Sequence, residues 1–289
     1  MELQFEQTFF DTMNRLRYYL KMPMIHGRNG SRKAMAKGAS VEFSDYREYQ
    51  LGDDIRRVDW NAYGRFEKLY IKEYMEEKEA LFHLFLDTSA SMEFGNKKKS
   101  DLALYITAGL SYLILNNLDR AQVYKIADGG QVKGKKHGGR GKFSEVLQEL
   151  KETEFGGKTD LASSLRASDL TKGGISIVIS DFLDIHSMET AIQYLKYKKQ
   201  EVIFICIWAK EEEQITSYGD VEFLDMETKE RLKVTITRKE VEAYQERLHR
   251  YQKQLEQVCK KYDVAFIKVY SHEPFDEVLL KTLYKSQLL

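Results

Sequence analysis

Five short apolar runs, at 80–86, 121–127, 175–179, 201–208 and 264–270, alternate with helical periodicity at 100–118, 143–151, 161–170, 188–198 and 239–262. Runs of this length, rich in β-branched and aromatic residues, suit strands buried on both faces. Strands that alternate with helices predict an α/β fold, a doubly wound, mostly parallel sheet with helices on both faces. At 289 residues the chain has room for that domain and an appendage.

Two of the runs lead into aspartates. Asp87 opens the stretch Asp87-Thr88-Ser89-Ala90-Ser91, and Asp181 follows Ile179-Ser180. In an open α/β sheet the ligand crevice lies outside the C-terminal strand ends, where the strand order reverses, so the two carboxylates converge if their strands are neighbours. Ser89 and Ser91 alternate along the turn that leaves the first strand, which suits hydroxyls curling back beside Asp87. Thr159 arrives from another loop, Gly156-Gly157-Lys158-Thr159-Asp160-Leu161. Carboxylate and hydroxyl oxygens are hard donors suited to Mg or Mn. With only two carboxylates in the set, a bound ion stays electrophilic enough to accept an acidic side chain from a partner protein. The plainer reading makes these residues strand-end turns.

The same five residues resemble the metal-ion-dependent adhesion site of von Willebrand factor A domains, an Asp-x-Ser-x-Ser run followed by a distant Thr and a distant Asp. Asp87, Ser89, Ser91, Thr159 and Asp181 match it position by position. The resemblance implies a von Willebrand factor A-like sheet, a bound Mg (or Mn) and a non-enzymatic role in protein interaction.

Between 27 and 79 the pattern changes to Gly, Arg, Asp and aromatic residues, with short strand-like pieces at 41–43 and 68–74. Here stand Glu42-Phe43, Arg47, Tyr49, the run Gly52-Asp53-Asp54-Ile55-Arg56-Arg57-Val58-Asp59-Trp60, Arg65 and Leu69. This stretch resembles the signature of the bacterial family called domain of unknown function 58, E-F-x-x-x-R-x-Y-x-x-G-D-D-x-R-x-I-D-W. The chain departs from that pattern at Ser40, where Gly is usual, and at Tyr63-Gly64, where Ser-Ala is usual. The resemblance implies a MoxR-type AAA ATPase as partner. Read from the residues alone, Arg47, Arg56, Arg57 and Arg65 stand among Asp45, Asp53, Asp54 and Asp59, around Tyr46, Tyr49 and Trp60. Arg–carboxylate pairs at this density either clamp a small domain onto a larger one or present an interface.

The expected division is therefore 1–78, an N-terminal helix with the Arg/Asp-rich appendage, and 79–289, the sheet domain with a hairpin inserted near 220–236. In the first segment Phe9, Met13, Leu16 and Leu20 predict an amphipathic helix that ends before Pro23 and docks on its own domain.

Charge and cysteine content narrow the function. Lys plus Arg and Asp plus Glu each number 45, so no global field draws the chain to nucleic acid or anionic lipid. Cys206 and Cys259 show neither a paired motif nor zinc spacing, which fits a reducing compartment. No apolar stretch reaches the roughly 18 to 20 residues of a spanning helix, and residues 1–20 lack a signal-peptide core, so a cytoplasmic location is expected. Gly129 to Lys135 satisfies G-x-x-x-x-G-K, but Lys136 stands where a P-loop needs Ser or Thr. With Lys133, Lys135, Lys136, Arg140 and Lys142 that segment predicts a solvated basic loop, whose support for a nucleic-acid-binding alternative is slight. The enzymatic alternative is a Mg-dependent phosphotransferase using Asp87. Such enzymes need an acid two residues on, and that position is Ser89.

Overall fold

The computed structural model describes residues 7–21, 41–76, 80–127, 130–168, 170–215, 218–225 and 230–286. The chain forms two compact units, Met24–Glu79 and a larger one built from Met1–Pro23 with Ala80–Leu289. The N-terminal helix thus joins the sheet domain and not the Arg/Asp-rich segment with which the 1–78 division grouped it.

In chain order the elements are α1 (Gln7–Lys21), β1 (Val41–Glu48), α2 (Trp60–Phe66), β2 (Tyr70–Glu76), β3 (Leu81–Asp87), α3 (Lys99–Asn116), β4 (Arg120–Ala127) and β5 (Gly130–Gly138). They continue as α4 (Phe143–Lys151), α5 (Leu161–Ala167), β6 (Ile175–Ser180), α6 (Ile185–Tyr197), β7 (Glu201–Trp208), the single turn α7 (Lys210–Glu213), β8 (Gly219–Leu224), β9 (Arg231–Ile236), α8 (Arg238–Lys261), β10 (Ala265–Tyr270) and α9 (Phe275–Ser286).

The central sheet of the larger unit runs β10-β7-β6-β3-β4-β5. Five strands are parallel, and β5 is antiparallel to β4 at the edge. Strand alternation sends side chains to two cores. Ile203, Ile205 and Ile207 pack with Leu84, Leu86 and Ile177 under α1, α3, α4 and α9, whereas Val202, Phe204, Cys206 and Trp208 pack with Phe85 and Val178 under α5, α6 and α8. The doubly wound parallel architecture is the one the apolar runs predict.

Helix α3 is apolar on nearly all sides because it is enclosed on nearly all sides, by the sheet and by α1, α4 and α9. Its Thr107 and Ser111 hydroxyls donate to carbonyls one turn back, at 2.7 Å each, which satisfies them without water. Gly109 allows α9 to come close, since a Cβ there would stand 2.4 Å from Leu279 Cδ1. Phe9, Met13 and Leu16 of α1 are buried in this core, while the side chain of Leu20 lies outside the described residues.

The segment expected to be a basic loop is instead strand β5. Gly and Lys are poor in a central strand, but an edge strand pairs on one side only, and charges there block further pairing. Of the G-x-x-x-x-G-K run, Gly134 and Lys135 therefore lie along a strand, and Gly129 lies outside the described residues. The inserted hairpin is β8–β9, paired antiparallel from Gly219↔Ile236 to Leu224↔Arg231, and its Glu227-Thr228-Lys229 tip lies outside the described residues.

In the smaller unit β1 and β2 pair antiparallel, with α2 between them in sequence. Strand β1 extends past the expected 41–43, and β2 starts two residues after the expected 68. Val58, Ala62 and Ile71 are its buried apolar side chains among the described residues.

Candidate metal centre

The chain lays β4 on one side of β3 and then returns to lay β6 on the other, so the topological switch point lies between β3 and β6. Leu86 pairs with Ile179, which places Asp87 beside Ser180 and Asp181 one residue farther on. The Ser180 hydroxyl donates to Asp87 Oδ2 over 2.6 Å.

Thr159 reaches the same carboxylate because its loop is stitched to the β3 exit. Gly156 N donates to Thr88 O at 2.8 Å, and Ala90 N donates to Gly157 O at 3.1 Å. Gly157 has φ 71°, a left-handed conformation that explains the glycine at that position. The loop then delivers the Thr159 hydroxyl to Asp87 Oδ1 at 2.6 Å, and Ser89 N donates to the same oxygen at 3.0 Å. Asp160 ends the loop by capping α5, accepting from Ser163 N at 3.0 Å.

Asp87, Ser89, Ser91, Thr159 and Asp181 all line one cleft of about 410 Å³, together with Ser180, Glu212, Phe94 and Leu183. Asp87 is almost fully buried, and burial, followed by the nearby Asp181 charge, pushes its carboxyl above the usual range. The three donors at its oxygens act against that rise. Ser89 Oγ and Ser91 Oγ stand 3.0 Å apart. Neighbouring ligands of an octahedral ion with bonds of about 2.1 Å are also about 3.0 Å apart. The donor set is thus hard oxygen throughout, and the one hydroxyl pair, hydrogen-bonded at 3.0 Å, has the separation of adjacent ligands of a small cation. Among the described residues no group of three or more His, Cys, Asp or Glu side chains forms a metal cluster, so any ion here relies on the hydroxyls.

The Asp181 turn is rigid. Phe182 takes φ 50°, sparsely populated for a residue with a Cβ, and such strain persists only where the surroundings impose it. Here Phe182 N donates to Ser180 Oγ at 3.1 Å, Tyr251 Oη donates to Phe182 O at 2.6 Å, and the ring stacks on Phe204 at 4.7 Å between centroids. Trp208 Nε1 donates to Asp181 O at 3.2 Å.

Three contributors to the cleft escaped the sequence reading. Lys99, fully buried, donates to Asp181 Oδ2 at 2.7 Å and to Glu212 Oε1 at 2.6 Å. Burial alone would lower its pKa, but the two carboxylates outweigh burial and hold the ammonium above its usual range. Glu212 is pushed up by burial, against the pull of Lys99. In sequence Lys99 sits in a Lys-Lys-Lys run and Glu212 in a Glu-Glu-Glu run, both of which read as solvated charge. The one signal was that Lys99 opens an all-round apolar helix, where a cation opposes the helix dipole. Ser180, the third, is a polar residue ending a wholly buried strand.

Within the smaller unit Arg47 and Arg56 each pair with a nearby aspartate. Arg47 forms a two-pronged bond with Asp53, both contacts 2.9 Å, and Asp53 also accepts from Gln50 N. Arg56 pairs only two residues away, with Asp54 at 3.1 Å, and its side chain is 86% exposed. Asp59 is buried, caps α2 through Asn61 N and accepts from Tyr46 Oη at 2.9 Å. Trp60 and Arg65 lie exposed on α2, with Trp60 edge-on to Tyr63, and Tyr49 is half-buried beside β2. Glu42 lies in β1, and its side chain falls outside the described residues.

Among the described residues no helix is long and apolar enough to cross a membrane. Among solved structures, the chain is similar to an aerotolerance-related membrane protein from Bacteroides fragilis, at 10% identity and TM-score 0.48, covering 73% of this chain and 100% of that one. It is also similar to the SpRpn10 VWA domain, at 8% identity and TM-score 0.41, covering 70% and 94%. In sequence it is 25% identical over 210 residues to the uncharacterized protein Mb1516 of Mycobacterium bovis, covering 69% of this chain. The match spans 65% of that relative's length. The model of the protein family of unknown function DUF58 matches residues 45–268, most of the chain, and the chain belongs to that family.

Proposed function

We infer that this chain is a non-enzymatic protein-interaction module whose binding site is a Mg or Mn ion held by Asp87, Ser89, Ser91, Thr159 and Asp181. The observation that carries the reading is the convergence of those five oxygen donors, from three separate segments, on one cleft at the switch point of the sheet. A hard divalent ion there supplies a coordination position that a partner's carboxylate can take. The chain's own part is to hold the donors: Thr88 and Ala90 fix the Thr159 loop, and Tyr251 with Trp208 fixes the Asp181 turn. Phe94 and Leu183, partly exposed at the rim, offer apolar surface beside the charged floor. The partner suggested by the family resemblance is a MoxR-type AAA ATPase, with this chain as an adaptor or assembly factor in the cytoplasm.

The test is affinity capture from a lysate of the source cell with magnesium, with EDTA, and with Ser89→Ala in magnesium. The expected result is a set of proteins, an AAA ATPase among them, recovered only by the wild-type chain with metal. Equal recovery in all three arms would remove the metal from the recognition. Incubation with a generic phosphate ester and magnesium separates this reading from a phosphotransferase, since turnover abolished by Asp87→Ala would favour the enzyme.

A further inference from the structure

Lys99 is an awkward residue to bury. It loses its hydration, fixes a long side chain and places positive charge on the first turn of α3, where the helix dipole disfavours it. Its buried ammonium touches Asp181 and Glu212, two residues that line the cleft, whereas the Asp87 half of the site is held by hydroxyls and a backbone N–H. The consequence for Glu212 is specific. One of its oxygens accepts from Lys99 at 2.6 Å and the other from Ala209 N at 2.7 Å, so both are engaged inside the protein. Glu212 nevertheless lines the same cleft as the five oxygen donors.

We propose that Lys99 determines the specificity of the site by holding Glu212 away from the ion and drawing charge from Asp181, so that the open coordination position awaits a carboxylate from outside. The proposal rests on the metal reading given above. Without Lys99, Glu212, which does not now cluster with Asp87 and Asp181, would be free to turn toward them and complete a floor of three carboxylates beneath a doubly charged ion. Such a floor would bind the ion tightly and satisfy it internally. With Lys99 the site binds the ion more weakly, and the ion keeps its demand for an anionic ligand. The turn α7, which carries Glu212, is held on its far side by Glu213, which accepts from Lys268 at 2.6 Å, Tyr270 Oη at 2.8 Å and Gln252 at 2.7 Å. Tyr244 Oη adds a bond to Glu212 O at 2.6 Å. Glu212 therefore stays at the cleft when Lys99 is replaced, and is available to take the position.

The experiment is calorimetric titration of the purified full chain with Mn(II), alongside proton relaxation of the Mn-bound water, for wild type, Asp87→Ala, Lys99→Met, Glu212→Gln and the Lys99→Met/Glu212→Gln double variant. Met keeps the length of the lysine stem without its charge. The expected results are loss of binding in Asp87→Ala and at least about tenfold tighter binding in Lys99→Met, as removal of a nearby unit charge implies. Lys99→Met should also lose relaxation enhancement, because Glu212 replaces a water. The double variant should return toward the wild-type affinity, and Glu212→Gln alone should bind several-fold more weakly, since the whole Lys99 charge then falls on Asp181. If wild type binds Mn(II), Asp87→Ala does not, and Lys99→Met binds equally or more weakly, Lys99 is only a structural counter-ion and the proposal is overturned while the metal site stands. Should Lys99→Met fail to fold, the outcome passes to Glu212→Gln, whose unchanged or tighter binding overturns the proposal. Absence of Mn(II) binding in the wild type overturns the metal reading and this proposal together.

Discussion

Thr159 donates its hydroxyl proton to Asp87 Oδ1 over 2.6 Å, joining a loop to a strand end 72 residues away in sequence. That bond links the Gly-Gly loop to the end of the first parallel strand, and it predicts two separable effects of Thr159→Val. In EDTA the buried carboxylate loses one of its donors, so urea unfolding should show a loss of about 1.5–3 kcal/mol, as for hydrogen bonds to charged groups. In magnesium the variant should also bind the ion more weakly than wild type, because valine offers no oxygen. Unchanged urea stability in EDTA would mean that water replaces the hydroxyl at Asp87.

The Arg/Asp-rich segment yields a contrast between two arginines. Arg47 grips Asp53 with two contacts, while Arg56 is largely in solvent. Arg47→Ala should lower the melting temperature and expose 41–76 to proteolysis, and Arg56→Ala should leave both close to wild type. The same pair carries a pH signature. The Arg47 side-chain bond, then the Gln50 backbone bond, holds Asp53 below its ordinary 3.8. A depressed folded pKa means that the pair's contribution is present above about 3.8 and fades as pH falls through the lower, folded value. NMR titration should find the Asp53 carboxyl below 3.8 in the wild type and nearer that value in Arg47→Ala.

Much of this molecule was legible because its largest features repeat. Buried parallel strands announce themselves as apolar runs, and all five parallel strands lie where those runs do. The convergence of Asp87, Ser89, Ser91, Thr159 and Asp181 on one cleft was legible because strand ends and glycine loops leave local marks around Asp87, Thr159 and Asp181. Strand β5 was not legible, since an edge strand needs no apolar face and its glycines and lysines resemble a loop. Lys99 and Glu212 were hidden for a different reason. Each sits in a run of identical charges, and only the fold decides which member of the run turns inward. The two-unit division was half-hidden, because nothing in the spacing of Phe9, Met13 and Leu16 says which domain the helix covers.

The two thiols should be chemically silent in the folded protein. Cys206, on β7, is enclosed against the Asp181 turn, and burial, with the Asp181 charge second, drives its pKa far upward. Cys259 on α8 is pushed up to about 12, chiefly by burial and then by Glu256. The thiolate is the reactive form, so neither residue should react with a disulfide reagent at neutral pH until denaturant is added. Rapid labelling of either thiol in the native state, read by mass spectrometry, would show that its helix or turn opens readily.

The last prediction concerns the turn that aims Asp181. Phe182 holds a left-handed backbone, and the carbonyl of that residue accepts the Tyr251 hydroxyl from α8 at 2.6 Å. Because the strained conformation has no glycine to relieve it, the bond from α8 and the stack on Phe204 are what keep the turn in place. Tyr251→Phe removes only the hydroxyl and leaves the ring packed between α8 and the sheet. Its cost in stability should be about 1 kcal/mol, the ordinary net worth of one hydrogen bond. The larger effect should fall on the site, since Asp181 is one residue from the released carbonyl. Mn(II) affinity should drop several-fold while that of a control substitution at an exposed α8 position, Lys253→Ala, stays at the wild-type value. If Tyr251→Phe loses the expected stability but binds Mn(II) as tightly as wild type, the turn is held by the Phe182 stack and the Trp208 bond alone, and α8 has no part in shaping the site.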